Sequence, residues 1–581
     1  MTPGRKNDLI ALAVIAAAVA VVFGPACFFT DVLSDDTIYT ERRHLLTLTL
    51  ANIRLWSRPV LGLWGPLTGY SFMLDRLVWG PEHFMFGARL GNVLLHFAAA
   101  AAFFCGARLL KFSPVPAALA VLFWAVHPQR AESVAWLSER KDVLILALGL
   151  WSIVFFIRFM RRKSTGVFLL SLFLFAATFF VKPAMIGLPA VLAAYLWSRC
   201  RWAKPASCLK YTGAFWGVSL LWFAAYKLVF DPVMDVGSRG IAETLAVMGW
   251  RYGMYFWKTF FPVGLNPFYP HFSLTENSLL PLWLTGAGAI LLLESARRRH
   301  TGTLRVHLPL CVCFSAAVFP ALFQIGDVDY ADRYSYFPAV FVVTGCAFAL
   351  CRFVRRHPAA EKTAVLLAAA AVLGMGLMCR RQVFVWESQE SYMAAVLSAP
   401  RPNYRMVITE TVRKFDKGDL PGVRKNLDLL RSDYGELSPN RRKIISFFAD
   451  SLEGVLLVRA GQAVPGMKKL ERVLWDPAWE LLLCTPYGYP RCVLLTAAGM
   501  YQKAGMRDAA AEVYRRTAKF YGAFEPLEKE FYLALAALCL GNKTEALARF
   551  ERALALSPGD ENIRKNIAAL KGEPIEKSAI R

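Results

Sequence analysis

The sequence predicts an all-α protein in two parts. Residues 1–390 read as a polytopic helical membrane domain of about eleven spans, and residues 391–581 as an α-solenoid of short helical repeats. Three observations predict this. Hydrophobic residues make up 56% of the 581 and charged residues only 19%, with a mean hydropathy of +0.38, whereas a soluble chain carries roughly 25% charge. Apolar stretches of bilayer length alternate with short basic segments. Beyond about residue 400 the composition turns soluble, and small and aromatic residues recur at a repeat spacing. The 42 Phe and 16 Trp exclude a disordered tail protein. The net charge of +24 would suit nucleic acid only as one basic face, and its distribution is different.

The first span is Leu9–Phe29, directly after Arg5 and Lys6. Its apolar run exceeds a signal-peptide core and further spans follow, so it reads as uncleaved. The others fall near 87–107, 114–127, 143–160, 166–181, 184–198, 211–230, 279–294, 306–324, 336–351 and 363–379. Basic residues collect on every second connection: Arg108 and Lys111; Arg158 to Lys163; Arg199 to Lys210; Arg297 to Arg305; Arg352 to Lys362. Cytoplasmic loops carry such an excess. Most of the net charge is therefore a topology signal, with no nucleic-acid partner. It puts the N-terminus in the cytoplasm and, with an odd number of spans, the C-terminal repeats outside. The long outer loops 30–86 and 231–278 mark the side where the chemistry is expected, and residues 241–261 read as an aromatic helix lying in the membrane interface. A bacterial inner membrane suits so compact a chain.

In the tail, Ala534, Gly541, Ala546, Phe550, Ala553 and Pro558 carry the spacing of a tetratricopeptide repeat, and Ala498, Gly505, Ala510 and Tyr514 repeat it one unit earlier. Two weaker helical pairs fit 405–437 and 441–475. Such pairs bury their apolar faces only by stacking, which leaves a concave face for a partner. The 12 cysteines lie mostly in apolar runs and include no paired CxxC, so zinc is not expected. Cys484 and Cys492 are close enough in sequence to pair in an oxidising compartment.

Polar groups beside the membrane are functional candidates by default. Asp35 and Asp36, in SDDTIYTERR, are adjacent acids of the kind whose mutual repulsion suits a general base, or else solvated residues of an outer loop. The segment VHPQRAESVAWLSERKDVL sets His127, Arg130, Glu132, Arg140, Lys141 and Asp142 between two spans. Its Arg and Lys match the oxygens of a lipid phosphate, with interfacial snorkelling as the bland reading. In IGDVDYADRYSYFPA, Asp332 and Arg333, followed by Tyr334, form a buried ion pair or serve a ligand phosphate. Lys182, in VKP, is a further cation at a span end.

The series SDDTIY, RPV, LGNVLLH, HPxxxESVAWLSxRKDVL, VKPAMIGLP and ADRYSYFP resembles the transmembrane and tetratricopeptide-repeat protein O-mannosyltransferases and their bacterial relatives, in the same order along the first 390 residues. The repeat tail extends the likeness over most of the chain. The resemblance implies a GT-C glycosyltransferase fold and a polyprenyl phosphate sugar as donor. It implies that Asp35 and Asp36 supply the base, and that His127, Glu132, Arg140, Asp142, Asp332 and Arg333 match its other motifs. Two departures, Arg130 where relatives often carry a second histidine and Arg89 before Asn92, leave the sugar and acceptor open. The mechanism implied is an inverting in-line attack by an acceptor hydroxyl. Arg140 and Arg333 are the favoured phosphate cations, with Arg130 and Lys141 as alternatives, and no obligatory metal or other cofactor is expected. The partners implied are the bilayer, the lipid-linked sugar and an acceptor polypeptide held by the repeats. A lipid or polysaccharide acceptor, a non-catalytic envelope scaffold and a carrier are the competing readings.

Overall fold

Apolar runs of this length have to satisfy their backbone groups internally, and helices do so within one segment. The computed structural model describes residues 3–33, 36–40, 46–57, 64–199, 205–229, 241–270, 301–322, 328–432, 434, 437, 439–479, 489–521, 526–557 and 560–572, and among them the regular structure is helical throughout. The chain divides into two compact units, Met1–Pro402 and Asn403–Arg581. That boundary lies close to the composition shift at about residue 400 and beyond the expected division at 390/391. A helix at Gln389–Leu397 is tied into the first unit, where Asn266 Nδ2 donates to the carbonyls of Ala395 at 3.0 Å and Val396 at 3.2 Å.

The first unit runs α1 (Pro3–Phe23), α2 (Thr37–Thr40), α3 (Leu50–Trp56), α4 (Pro66–Trp79), α5 (Phe84–Leu109), α6 (Pro114–Ala125), α7 (Arg130–Ala135), α8 (Arg140–Arg162), α9 (Thr165–Phe179), α10 (Leu188–Arg199), α11 (Pro205–Val229), α12 (Ile241–Trp257), α13 (Thr301–Leu322), α14 (Pro338–Arg356), α15 (Glu361–Val383) and α16 (Gln389–Leu397). By length and composition, five segments among the described residues can cross a membrane: Arg5–Phe28, Phe84–Leu109, Leu137–Arg162, Pro338–Arg356 and Pro358–Trp386. The expected spans 114–127, 166–181 and 184–198 are helices of 12, 15 and 12 residues. Twelve residues rise only about 18 Å, short of a hydrocarbon core of about 30 Å. The expected span 279–294 lies outside the described residues. Two of these short helices end just before prolines: α6 stops before Pro128, and beyond α9 Lys182 before Pro183 is fully extended (φ −168°, ψ 158°), as a residue preceding proline prefers. The expected interfacial segment forms α12, which buries Val247, Arg251 and Tyr255 and exposes Leu245 and Phe256.

The packing is α5 against α8, α8 against α9, and α10 against α13, with α1 seated on α5, α6 and α15. At Gly187 a Cβ would run into the backbone carbonyl of Ala316, so the entry to α10 can approach α13 this closely only without a side chain.

The second unit comprises α17 (Tyr404–Asp416), α18 (Leu420–Ser432), α19 (Pro439–Arg459), α20 (Ala463–Leu474), α21 (Tyr489–Lys503), α22 (Arg507–Tyr521), α23 (Pro526–Cys539), α24 (Lys543–Leu556) and α25 (Glu561–Lys571), each packed on its sequence neighbours. Four pairs turn on a left-handed glycine, Gly418, Gly461, Gly505 and Gly541, with φ of 77°, 81°, 73° and 79°. Ala498, Ala510, Ala534, Ala546, Phe550 and Ala553 are all fully buried. The alanines are the small residues that let neighbouring helices touch, and Phe550 fills the core between them. Cys492 carries no disulfide, and Cys484, its expected partner, lies outside the described residues.

Gly187→Ala is expected to destabilise the first unit by about 1–3 kcal/mol, the usual cost of overpacking. Gly217→Ala, where an added Cβ meets nothing within 4 Å, serves as the control. Thermal unfolding in detergent reads the difference, and equal melting temperatures would refute the close approach.

Candidate functional site

The functional region is built on a break in a helix. The chain leaves α6 at Val126, makes the six-residue α7, turns through Trp136 to Glu139 and resumes as α8 at Arg140. Every residue from Trp124 to Arg140 is buried. Side chains of α5 donate to carbonyls at the break: Arg89 Nη1 to that of Ala135 at 2.8 Å and Asn92 Nδ2 to that of Trp136 at 3.3 Å, the latter also accepting from the Glu139 backbone N–H at 3.2 Å. Arg89 Nη2 also donates to the Asp31 carbonyl at 2.9 Å, which ties in the chain leading to Asp36. The segment read from sequence as a polar patch at the membrane face is thus the buried hub of the unit.

Of its ionisable residues, only some reach open space. A cavity of about 570 Å³ is lined by Ser138, Glu139, Lys141, Asp142, Lys182, Arg333 and Tyr334. Its other walls are aromatic and aliphatic, including Trp222, Tyr226, Ile145, Met185, Pro320 and Ala321. The charges alternate. Arg333 pairs through Nη1 with Glu132 and lies 3.7 Å through Nε from Glu139, while its backbone N–H donates to Glu132 Oε2 at 2.9 Å. Glu139 Oε1 is 3.2 Å from Lys141 Nζ. Lys182 pairs with Asp142 Oδ1, and Ser133 Oγ donates to Asp142 Oδ2 at 3.4 Å. The rings of Trp136 and Tyr334 lie 5.7 and 4.9 Å from the Arg333 guanidinium, close enough for cation–π attraction. Burial outweighs the pull of Glu139 and pushes Lys182 down to about 7.

Arg140, favoured from sequence as a phosphate ligand, does not line the cavity. It lies under α4 and α5, paired with Asp75 at 2.8 Å, bonded through Nε to Asn92 and through Nη2 to the Ala88 carbonyl, and stacked on Phe72 at 4.6 Å. Only a glycine at 91 leaves room for it, since a Cβ there would come within 2.6 Å of Nη2. Arg140 is a staple. The reason is geometric: in a helix, adjacent residues point about 100° apart, so if Lys141 faces the cavity Arg140 turns away.

Arg130, the other proposed phosphate cation, is also enclosed, between Trp124 and Tyr336 with Nη2 donating to Ser335 Oγ at 2.5 Å. His127 is buried behind it, its Nδ1 accepting from Gln129 N at 3.3 Å. Asp332 faces away from Arg333. It accepts from Gln129 Nε2 at 3.1 Å and Tyr269 O–H at 2.9 Å, and Lys258 Nζ in turn donates to Tyr269 Oη at 3.1 Å. Asp36 is fully buried, and Asp35 lies outside the described residues. Asp36 Oδ1 accepts from the Ser138 backbone N–H at 2.9 Å and from Ser138 Oγ at 2.5 Å, and Oδ2 accepts from Leu33 N at 3.2 Å. Burial raises its carboxyl above the usual range, against these bonds and the charge of Arg89. Asp36 therefore sits one hydrogen bond behind the cavity wall, through Ser138.

Sequence reasoning passed over Glu139 and Ser138, which line the cavity. In the run SERKD a lone acid before two bases reads as their charge partner. Its closeness to the proposed phosphate cations was the available signal.

Residues 81–222 match the family described as dolichyl-phosphate-mannose-protein mannosyltransferase. The chain is also 30% identical over 190 residues to Protein O-mannosyl-transferase Tmtc1 of Drosophila melanogaster, a match covering 30% of this chain and 22% of that protein. The chain thus aligns with about a fifth of the relative's length. Both matches support a family like the transmembrane and tetratricopeptide-repeat proteins, within GT-C-like glycosyltransferases, and the apolar helices are those of a membrane protein. The family match spans the helix break, Lys182 and most of α11.

Arg140→Ala should cost about 3–5 kcal/mol, because Asp75 would be left as an unpaired, largely buried charge. The loss is expected as a sharp fall in thermal stability in detergent. Wild-type stability in this variant would refute the staple.

Proposed function

We propose that this chain is a membrane glycosyltransferase that moves a sugar, mannose or a related hexose, from a polyprenyl phosphate to a Ser or Thr hydroxyl of an acceptor protein on the extracytoplasmic face. The observation that carries the proposal is the mixed lining of the cavity. Lys141, Lys182 and Arg333 line it together with aromatic and aliphatic side chains. A lipid-linked phosphate presents both an anion and apolar surface. The names of the matching family and of the Drosophila relative support the same donor chemistry and a protein acceptor.

The chemistry asks for two things. The leaving lipid phosphate needs positive charge already in place, which preorganised cations in a water-poor site supply most effectively. Lys141, Lys182 and Arg333 take that role, and the reading assigns the phosphate charge to these protein cations. The attacking hydroxyl needs a proton acceptor. Asp36 takes it, through the Ser138 hydroxyl to which it is bonded at 2.5 Å. As the acceptor oxygen bonds to the anomeric carbon, its proton passes to Ser138 Oγ and the serine proton to Asp36. The bond from that carbon to the phosphate oxygen breaks on the opposite side, with inversion. Asp35 remains the second candidate base. The helical pairs of the second unit, read as tetratricopeptide repeats, present the acceptor polypeptide and raise its local concentration.

The test is transfer by the purified protein in liposomes, from polyprenyl phosphate mannose to Ser/Thr peptides and, as the alternative acceptors, to lipid or polysaccharide. Asp36→Asn is expected to lower turnover by about 10²–10⁴, the usual worth of a general base, with donor binding retained. Wild-type turnover in both Asp36→Asn and Asp35→Asn would move the base elsewhere, and transfer to lipid alone would replace the acceptor class.

A second outcome concerns pH. Lys182, pushed down to about 7, is protonated below that value and loses its charge above it. Donor affinity should therefore be highest below pH 7 and fall as pH rises through neutrality. Lys182→Arg, whose guanidinium stays charged, should flatten the profile in a binding titration from pH 6 to 8.

A further inference from the structure

Of the two carboxylates that line the cavity, Glu139 and Asp142, neither has a task in the proposed reaction, and only Glu139 keeps an oxygen without a hydrogen-bond partner among the described residues. Glu139 lines the cavity and is 1% exposed. Its Oε1 is held by Lys141 at 3.2 Å and Arg333 at 3.7 Å. Its Oε2 is buried and has no hydrogen-bond partner among the described residues. The other acids nearby are engaged at both oxygens, Asp142 by Lys182 and Ser133, and Asp36 by Ser138 and Leu33. A buried carboxylate oxygen without a donor is costly, so a ligand donor is the natural complement of Glu139 Oε2.

Two kinds of ligand group could meet it. As a base it would take the acceptor's proton, but a carboxylate flanked by two cations is held ionised and is a weak base. As a hydrogen-bond acceptor the same pairing is an advantage, because bonds to an ionised partner are stronger and the cations fix its orientation. The ionised lipid phosphate carries no proton to donate to Oε2, so the group is a neutral O–H. It also lies beside the cations assigned to the phosphate, so it belongs to whatever is joined directly to that phosphate. We propose that Glu139 Oε2 accepts a hydrogen bond from a ring hydroxyl of the donor sugar and so makes the protein selective for a hexose bearing that hydroxyl over its deoxy analogue and over the sugar-free lipid phosphate. The inference rests on the donor class proposed above. A site built to hydrogen-bond a substrate hydroxyl rejects the analogue lacking it, because the buried polar group is then left unpaired.

The test uses the full chain in detergent and three kinds of probe: polyprenyl phosphate hexose, the sugar-free polyprenyl phosphate, and a series of monodeoxy hexose donors. The wild type is expected to bind the hexose donor at least about tenfold more tightly than the sugar-free lipid, and one deoxy position should forfeit about tenfold, roughly one good hydrogen bond. Glu139→Gln should lose about as much on the hexose donor, keep its affinity for the sugar-free lipid within about twofold, and become indifferent to that deoxy position. Equal weakening of both lipids by Glu139→Gln would make the residue a mere support for the cations and overturn the inference. So would a wild type indifferent to every deoxy position, a result that does not depend on how the variant folds. Binding without sugar preference would overturn this inference alone, whereas no binding of any polyprenyl phosphate would overturn the donor class and this inference with it.

Discussion

The first unit depends on how a broken helix is held in a fully buried place. Between α7 and α8, in a segment buried from solvent, the Ala135 carbonyl accepts from a side chain of α5, and the Trp136 carbonyl does so beside the backbone N–H of Glu139. Arg89 and Asn92, one turn apart on α5, supply those side-chain donors. A buried unsatisfied carbonyl costs on the order of 1–3 kcal/mol, so without them the segment would have reason to straighten into a continuous helix. The break turns the backbone so that Ser138, Glu139, Lys141 and Asp142 border one cavity while Arg140 is driven back under α4 and α5. Asn92 serves both ends of the arrangement, donating to the break and accepting from Arg140.

Charge balance follows from that placement. Burying an isolated ion is prohibitive, and buried ions are accordingly paired. Three cations and three carboxylates pair as Glu132–Arg333–Glu139–Lys141 and as Asp142–Lys182, and they come from three separate stretches of chain. An anion entering such a network meets cations whose positions are already fixed by carboxylates, so little reorganisation is needed when it binds. The Asp332 cluster is different in kind. Its acceptors are occupied by Gln129 and Tyr269, and it secures the loop that carries Arg333 and Tyr334 to the cavity.

Composition carries the broad plan. Hydropathy and the alternation of basic segments reveal helices of membrane type, and glycine spacing reveals helical pairs in the tail, because both depend on local periodicity and on solvent. Gly505 and Gly541 belong to the repeat spacing, and their positive φ is what a tight helix-to-helix turn demands. Span length was less legible. Pro128 and Pro183 end helices that hydropathy alone extends, since a hydropathy window registers apolar side chains and not the backbone restriction before a proline.

The same division runs through the site. The ionisable residues of 127–142, Lys182 and Arg333 stand out against an apolar background and are legible from sequence as candidates. Which of them share a space is set by packing between distant helices. Arg140 and Lys141 are neighbours in sequence and identical in charge, yet one is a staple and the other borders the cavity. Glu139, inconspicuous in the run SERKD, has an unpartnered oxygen because Arg333, almost two hundred residues away, occupies its other side together with Lys141. Facing direction is set by where a helix begins and which side chains hold its start, and those holding this one lie on another helix, beyond the reach of any local pattern.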